Sequence, residues 1–195
     1  MTSSGTSGQS ASKIVLDKET AADQQKAMLK IVSDFTGAGR MPMLVIDCPG
    51  VIKDRRMFSA RGAGILGFSI FGKDITYALN DDMSLNKQEM CRFLEKHQQE
   101  KILLFGFTFM VWQHFYKELQ KDSRKYDFSN AVLIHGGGWK KLQSESVSNE
   151  CFCQSLKEVC GISRVHDYYG MAEQTGSIYM QCECGHLHAS IFSDV

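Results

Sequence analysis

The first clear periodicity along the chain places Met28, Ile31, Val32 and Phe35 on one helical face, with Gly37 supplying a stop. The run Met43-Leu-Val-Ile-Asp47 is apolar without interruption and reads as a buried strand, closed by turn chemistry at Cys48-Pro49-Gly50. Between Arg61 and Gly72 closely spaced glycines leave helix and strand equally open. Ile75 to Leu79 then reads as a strand before the turn at Asn80-Asp81-Asp82. Asn86 with Glu89 three residues later has the spacing of a capping box, and Met90, Phe93 and Leu94 give the helix that follows its apolar face.

Lys101 to Phe107 is the next strand. Thr108 to Lys121 carries Val111, Phe115 and Leu119 every fourth residue, so it reads as a helix on which Trp112 and His114 are either core or site, core being the default for such positions. Ala131 to Ile134 is a short strand, Ser148 to Val159 an amphipathic helix, and Arg164 to Tyr169 a further strand. Strands that alternate with helices predict an α/β fold, a largely parallel sheet flanked by helices, whose ligands sit in loops beyond the carboxyl ends of the strands. Three loops are candidates on that ground: Thr2 to Lys13, His135 to Lys141, and Tyr169 to Gly176.

Composition narrows the function classes. The 195 residues are about one to one and a half domains, and 43% hydrophobic with 23% charged residues is the balance of an ordinary globular protein. Lys and Arg number 22 and Asp and Glu 22, and no basic run appears, so the chain lacks the footprint of a nucleic-acid binder. There is no apolar stretch of about 18 residues and no basic-then-apolar leader, which argues against a membrane span or export signal. An odd set of seven cysteines in such a chain favours reduced thiols and a cytoplasmic location.

The first loop combines glycines, hydroxyls and a lysine: Ser4, Gly5, Thr6, Ser7, Gly8 and, at its end, Lys13. Glycines let backbone N–H groups turn toward an anion, hydroxyls donate to phosphate oxygens, and the lysine balances charge. The spacing is not that of a Walker A loop, and alone the segment reads equally as a flexible Ser/Gly tail. Cys182, Cys184, His186 and His188 form a separate cluster of soft or borderline ligands, C-x-C and H-x-H across a glycine. Zn2+ is one reading of it; the spacing is tighter than the usual zinc pattern, which favours a reduced, metal-free hairpin.

Tyr169-Gly170-Met171-Ala172-Glu173 follows a strand. Together with the first loop, and in the same order, it resembles the phosphate loop and the later Y-G-x-x-E motif of the adenylate-forming (AMP-binding) superfamily. His135-Gly136-Gly137-Gly138-Trp139-Lys140-Lys141 is similar to the segment that lines the adenine pocket there. Within the superfamily the chain most resembles the acyl-protein synthetases, the long-chain fatty-acid:luciferin-component ligases, through Phe58-Ser59-Ala60-Arg61-Gly62-Ala63-Gly64, Gly106-Phe107-Thr108 and Tyr168 to Gly176 running on to His186-Leu187-His188.

The resemblance implies the N-terminal core of an adenylate-forming enzyme, a partial AMP-binding domain over residues 1–195, incomplete at both ends and without the C-terminal lid domain. It implies that Ser4, Gly5, Thr6, Ser7, Gly8 and Lys13 hold the ATP phosphates. Gly136, Gly137 and Gly138 would border the adenine, Tyr169 stack on it with Gly170 beside it, and Glu173 hold Mg2+, Thr6 and Glu173 being the catalytic residues. Each has a plainer reading: a loop for the glycines, a core aromatic for Tyr169, a helix cap for Glu173. The activity implied is ATP-dependent activation of a long-chain fatty acid as acyl-AMP for transfer to a protein thiol. An acyl-accepting protein or a reductase or transferase subunit would then be a partner. The alternatives are an acyl-CoA ligase of the phenylacetate type and, from another class, an inactive nucleotide-binding or interaction module.

Overall fold

A computed structural model of the chain describes residues 17–53, 60–170 and 178–193. Its centre is a seven-stranded sheet in the order β2-β1-β3-β4-β5-β6-β7, with β1 Met41–Val45, β2 Gly72–Tyr77, β3 Ile102–Phe107, β4 Ala131–Gly136, β5 Arg164–Gly170, β6 Ile178–Gln181 and β7 Leu187–His188. The first five strands in that order pair in parallel, while β6 and β7 run antiparallel to their neighbours. Every residue of β1, β3 and β4 is buried. That is why these three read as unbroken apolar runs and not as alternating ones: a parallel sheet is covered on both faces.

The helices form where capping and periodicity agree. α1, Lys18–Thr36, starts on Asp17, whose carboxylate accepts the Thr20 N–H at 2.7 Å, and stops at Gly37, whose φ of 90° a side chain would resist. It buries Ala27, Ile31 and Val32. α4, Lys87–Lys96, starts on Asn86, which accepts the Glu89 N–H at 3.1 Å. The capping box is only half made, because the Asn86 N–H is taken by the Ala78 carbonyl and the Glu89 carboxylate turns to Arg92. α7, Asn149–Cys160, has the Ser148 cap and a left-handed Gly161 at its end.

Three segments depart from the pattern reading. Cys48-Pro49-Gly50 leads directly into a short helix, α2, Gly50–Lys53. The open segment from Arg61 is helical: α3, Ala60–Phe68, followed by a 3-10 turn over Ser69–Phe71. Gly64 is the reason it packs closely, since a Cβ there would lie 3.1 Å from the Phe107 ring. The helix after β3 is α5, Thr108–Met110, and α6, Lys117–Lys121, joined by a π-helical stretch over Val111–Tyr116. The wider turn buries Val111, Trp112, Phe115 and Tyr116 together, with Trp112 stacked on Tyr116 and on Phe152 of α7. His114 is half-buried, with Nδ1 3.2 Å from the Met83 carbonyl.

Candidate functional site

The parallel strands end along one edge, where Gly136, Gly137, Gly138, Tyr169 and Gly170 lie. Gly136 lies opposite Tyr168, the last pair in the register of β4 and β5, and Gly137–Gly138 and Tyr169–Gly170 continue the two strands from there. Ser4, Gly5, Thr6, Ser7, Gly8, Lys13 and Glu173 lie outside the described residues, as do Phe58 and Ser59.

The glycines at the end of β4 have separate reasons. A Cβ on Gly136 would sit 2.5 Å from the Tyr168 carbonyl oxygen and 2.7 Å from its ring, so two strands touch there as only glycine allows. Gly137, at φ +84°, would drive a Cβ to 2.5 Å from the Phe107 ring. Gly138, at φ +63°, faces open space. Close packing thus accounts for the first two, and the third leaves room beside the backbone.

Adjacent tyrosines divide the roles that sequence left open. Tyr168 is the core aromatic, its ring 4.9 Å from Phe68 and 6.1 Å from Phe105, and burial pushes its phenol above the ordinary range. Tyr169 is 51% exposed, and among the described residues the aromatic ring beside it is that of Tyr179, at 6.2 Å.

Several groups at this edge carried no role in the sequence reading. His135 is buried, with Nδ1 3.0 Å from the Thr108 hydroxyl and no partner for Nε2 among the described residues. Desolvation, with His166 adding to it, brings its pKa down to about 3, so the ring is neutral at physiological pH. Between the Thr108 hydroxyl and Nδ1 one hydrogen bond forms, the hydroxyl donating in one neutral tautomer and Nδ1–H donating in the other. Asp167 stands 3.8 Å from that ring, too far for a hydrogen bond, and desolvation raises its pKa to about 6 against the opposing Tyr168 N–H. Lys140 holds its ammonium over the rings of Phe107 and Phe109 at 5.7 and 5.3 Å. Asp47, just beyond β1, is buried against Arg61 of α3, with Arg61 Nε 3.0 Å from Asp47 Oδ2. Nothing in the apolar pattern marks such groups, because pairing across the sheet edge depends on strand order.

Asp167 gives a pH-dependent prediction. A carboxyl whose folded pKa lies above the unfolded value of about 3.9 binds its proton more tightly when folded. The cost to stability is therefore absent below about pH 4, grows as pH rises, and is complete above the folded value near 6. Because the side chain is 38% exposed, solvent screening cuts the full linkage value to about 1 kcal/mol. Asp167→Asn is expected to gain that much over the parent in urea unfolding at pH 8, and nothing at pH 4.

The Cys182-to-His188 cluster lies at the opposite edge, where β6 turns into β7. Cys182 N–H donates to the His186 carbonyl and Gly185 N–H to the Cys182 carbonyl, with Gly185 at φ +82° closing the turn. The His186 N–H, then the His188 side chain, hold the Cys182 thiol down to about 7. Among the described residues no three His, Cys, Asp or Glu side chains are placed to hold one metal ion, so Cys184 and His186 do not complete a zinc site with that pair. All seven thiols are free, and no described helix is long and apolar enough to cross a membrane.

The model of a family described as "Acyl-protein synthetase, LuxE" matches residues 1–195. No curated protein matches the sequence. A solved structure described as "Structure of ATP bound RpMatB-BxBclM chimera B3" is similar over 95% of this chain, with a TM-score of 0.54 and 16% identity. At that identity the likeness speaks for the fold, that of an adenylate-forming enzyme. The chain spans 31% of the length of that structure's chain.

Proposed function

This chain belongs to the acyl-protein synthetase family LuxE, and from that premise we propose that it forms the nucleotide-binding part of an ATP-dependent acid:thiol ligase. The acid would be a long-chain fatty acid. Its carboxylate oxygen attacks the α-phosphorus of ATP, the bond from that phosphorus to the β-phosphate bridge breaks, and pyrophosphate leaves. The resulting acyl-AMP passes its acyl group to a thiol of an acceptor protein, releasing AMP. No protein nucleophile is required for the first step; its rate depends on holding two anions in line while positive charge and N–H donors absorb the charge that develops.

The observation that supports this reading is the pairing of Gly136 with Tyr168 at the carboxyl ends of β4 and β5, from which the Gly137-Gly138 turn and the half-exposed Tyr169 both lead off. An adenine would lie flat on Tyr169 with its edge along the backbone opened by Gly138. The phosphates would run toward Ser4 to Gly8 and Lys13. Mg2+ is assigned to Glu173 by the family pattern alone, and no step is built on it. The acceptor is assigned in the same way: a protein thiol, with coenzyme A the competing choice, to be separated by which of the two takes the acyl group.

Binding tests the reading directly. A non-hydrolysable long-chain acyl-AMP analogue is expected to bind this chain more tightly than AMP. Tyr169→Ala is expected to weaken both by about tenfold, the worth of one stacked base. A folded chain with no affinity for AMP or the analogue would overturn it.

A further inference from the structure

The sheet order carries information that the nucleotide loops do not use. In the run β2-β1-β3-β4-β5 the chain leaves β1 toward β2 on one side, and after β3 it proceeds toward β4 on the other. The loops beyond the carboxyl ends of β1 and β3 therefore part from one another and open a crevice, the place where open α/β sheets take ligands. Asp47 lies just beyond β1 and Thr108 opens α5 just beyond β3. Arg61 spans the two sides: its Nε and Nη2 face Asp47 at 3.0 and 3.2 Å, and its Nη1 lies 3.8 Å from the Met110 sulfur of α5.

A pair placed like this is poorly explained by stability. The Asp47 side chain is 1% exposed and its Oδ1 also accepts the Cys48 N–H at 2.8 Å, so the carboxylate is committed to the interior. Buried ion pairs roughly break even against apolar residues of the same size, because desolvation cancels the attraction. What the arrangement does secure is orientation. Asp47 and Met110 fix a planar guanidinium from behind, while the Arg61 side chain stays 27% exposed toward the crevice. A guanidinium fixed in this way keeps its charge and the N–H groups turned away from Asp47 for one oxygen of a carboxylate.

We propose that Arg61, held on Asp47, binds the carboxylate of the acid substrate in the crevice between β1 and β3. This rests on the adenylation reading for the identity of the acid. The crevice lies about two strand spacings, roughly 10 Å, from the β4–β5 edge, so an acid held there meets a nucleotide stacked on Tyr169 from the side of its phosphates. With Arg61 on one oxygen, the other is left to face the α-phosphorus. Gly64, one turn along α3, keeps the helix close against Phe107 and so holds Arg61 at the mouth of the crevice.

The test compares decanoate with 1-decanol, each below its aggregation limit, at pH 8, where the acid is ionised. The parent chain is expected to bind decanoate about tenfold or more tightly than the alcohol, the worth of one hydrogen bond to a charged group. In Asp47→Asn/Arg61→Gln, which replaces the ion pair by a neutral pair of similar shape, that preference is expected to vanish while affinity for the alcohol and for AMP stays. A second measurement needs no variant: phenylglyoxal labelling of Arg61, read by mass spectrometry, is expected to slow with decanoate and not with 1-decanol. A parent without the preference, a folded double variant that keeps it, or labelling indifferent to decanoate would each overturn the proposal. AMP binding separates the two readings. If AMP binds and no carboxylate preference exists, the assignment of Arg61 alone fails; if the preference exists and AMP does not bind, the adenylation reading fails and Arg61 stands as a carboxylate site.

Discussion

Gly136→Ala is expected to cost the folded chain about 3 kcal/mol, the upper part of the range for forcing extra volume into a packed interior. The methyl would lie 2.5 Å from the Tyr168 carbonyl oxygen, which is backbone, and 2.7 and 2.8 Å from two atoms of the Tyr168 ring. A flexible side chain could swing aside. A strand carbonyl cannot, because β5 is fixed on its other side by the register with β6, Tyr168 opposite Met180. The ring is no freer, packed as it is on Phe68 and Phe105. Relief therefore requires β4 and β5 to separate at the very end where the Gly138 turn and Tyr169 come together. Gly138→Ala is the informative control. Its Cβ would meet nothing within 4 Å, so only the left-handed backbone at φ +63° is penalised, about 1 kcal/mol. Urea unfolding of the two variants beside the parent gives both numbers. Gly136 has no positive φ, so a loss no larger than that of Gly138→Ala would mean that the two strands part at little cost and that their contact does not demand glycine at 136.

The sequence alone located most of the parallel sheet because β1, β3 and β4 are buried throughout and leave continuous apolar runs. It located the end of α1 because Gly37 stops the helix by backbone conformation, a local property. The end of the sheet was harder. β6 is four residues and β7 two, the latter wholly exposed, so neither has a face long enough to show alternation. Their pairing comes from the turn at Cys182 to His186, whose hydrogen bonds are local and whose glycine and tight spacing already favoured a hairpin over a zinc site. The glycines from Arg61 to Gly72 left that segment open for a related reason. They look like helix breakers, yet Gly64 sits within α3 because Phe107 occupies the space a side chain would need.

The candidate site divides along the same line. Motif residues were legible as motifs, and the pairing of β4 with β5 sets Gly136 beside Tyr168, one residue before Tyr169. The choice between core and site for Tyr169 needed burial: its neighbour Tyr168 is the one enclosed, while Tyr169 is half exposed. For the remaining groups no local signal exists. Asp47 and Arg61 are fourteen positions apart and meet only because α3 returns over the end of β1; His135 and Thr108 meet only because β3 and β4 are neighbours.

Arg61→Met is expected to destabilise the chain at pH 8 by about 3 kcal/mol, the lower end of what stranding one member of a buried ion pair costs. The loss is nearly all on the Asp47 side. Methionine keeps much of the arginine volume and fits the contact with Met110, so packing changes little. Asp47, 1% exposed, would keep the Cys48 N–H and lose the two guanidinium nitrogens that face it. Desolvation already raises its pKa in the parent, with the Cys48 N–H and then Arg61 opposing the rise. Without Arg61 the folded pKa rises further, while the unfolded value near 3.9 is unchanged. An acid raised on folding costs stability only where it is ionised, so the penalty of the variant is largest at high pH. It shrinks as pH falls through the new folded pKa and is gone below about 4. Urea unfolding at pH 4, 6 and 8 reads this as a difference between parent and variant that widens with pH. The second substitution follows from the same electrostatics: adding Asp47→Asn to Arg61→Met removes the charge that cannot be buried, and should recover most of the loss at pH 8 while leaving stability at pH 4 unchanged. A pH-independent deficit that the second change does not repair would place the cost of Arg61→Met in packing against α5, and would show that Asp47 does not depend on Arg61 for its burial.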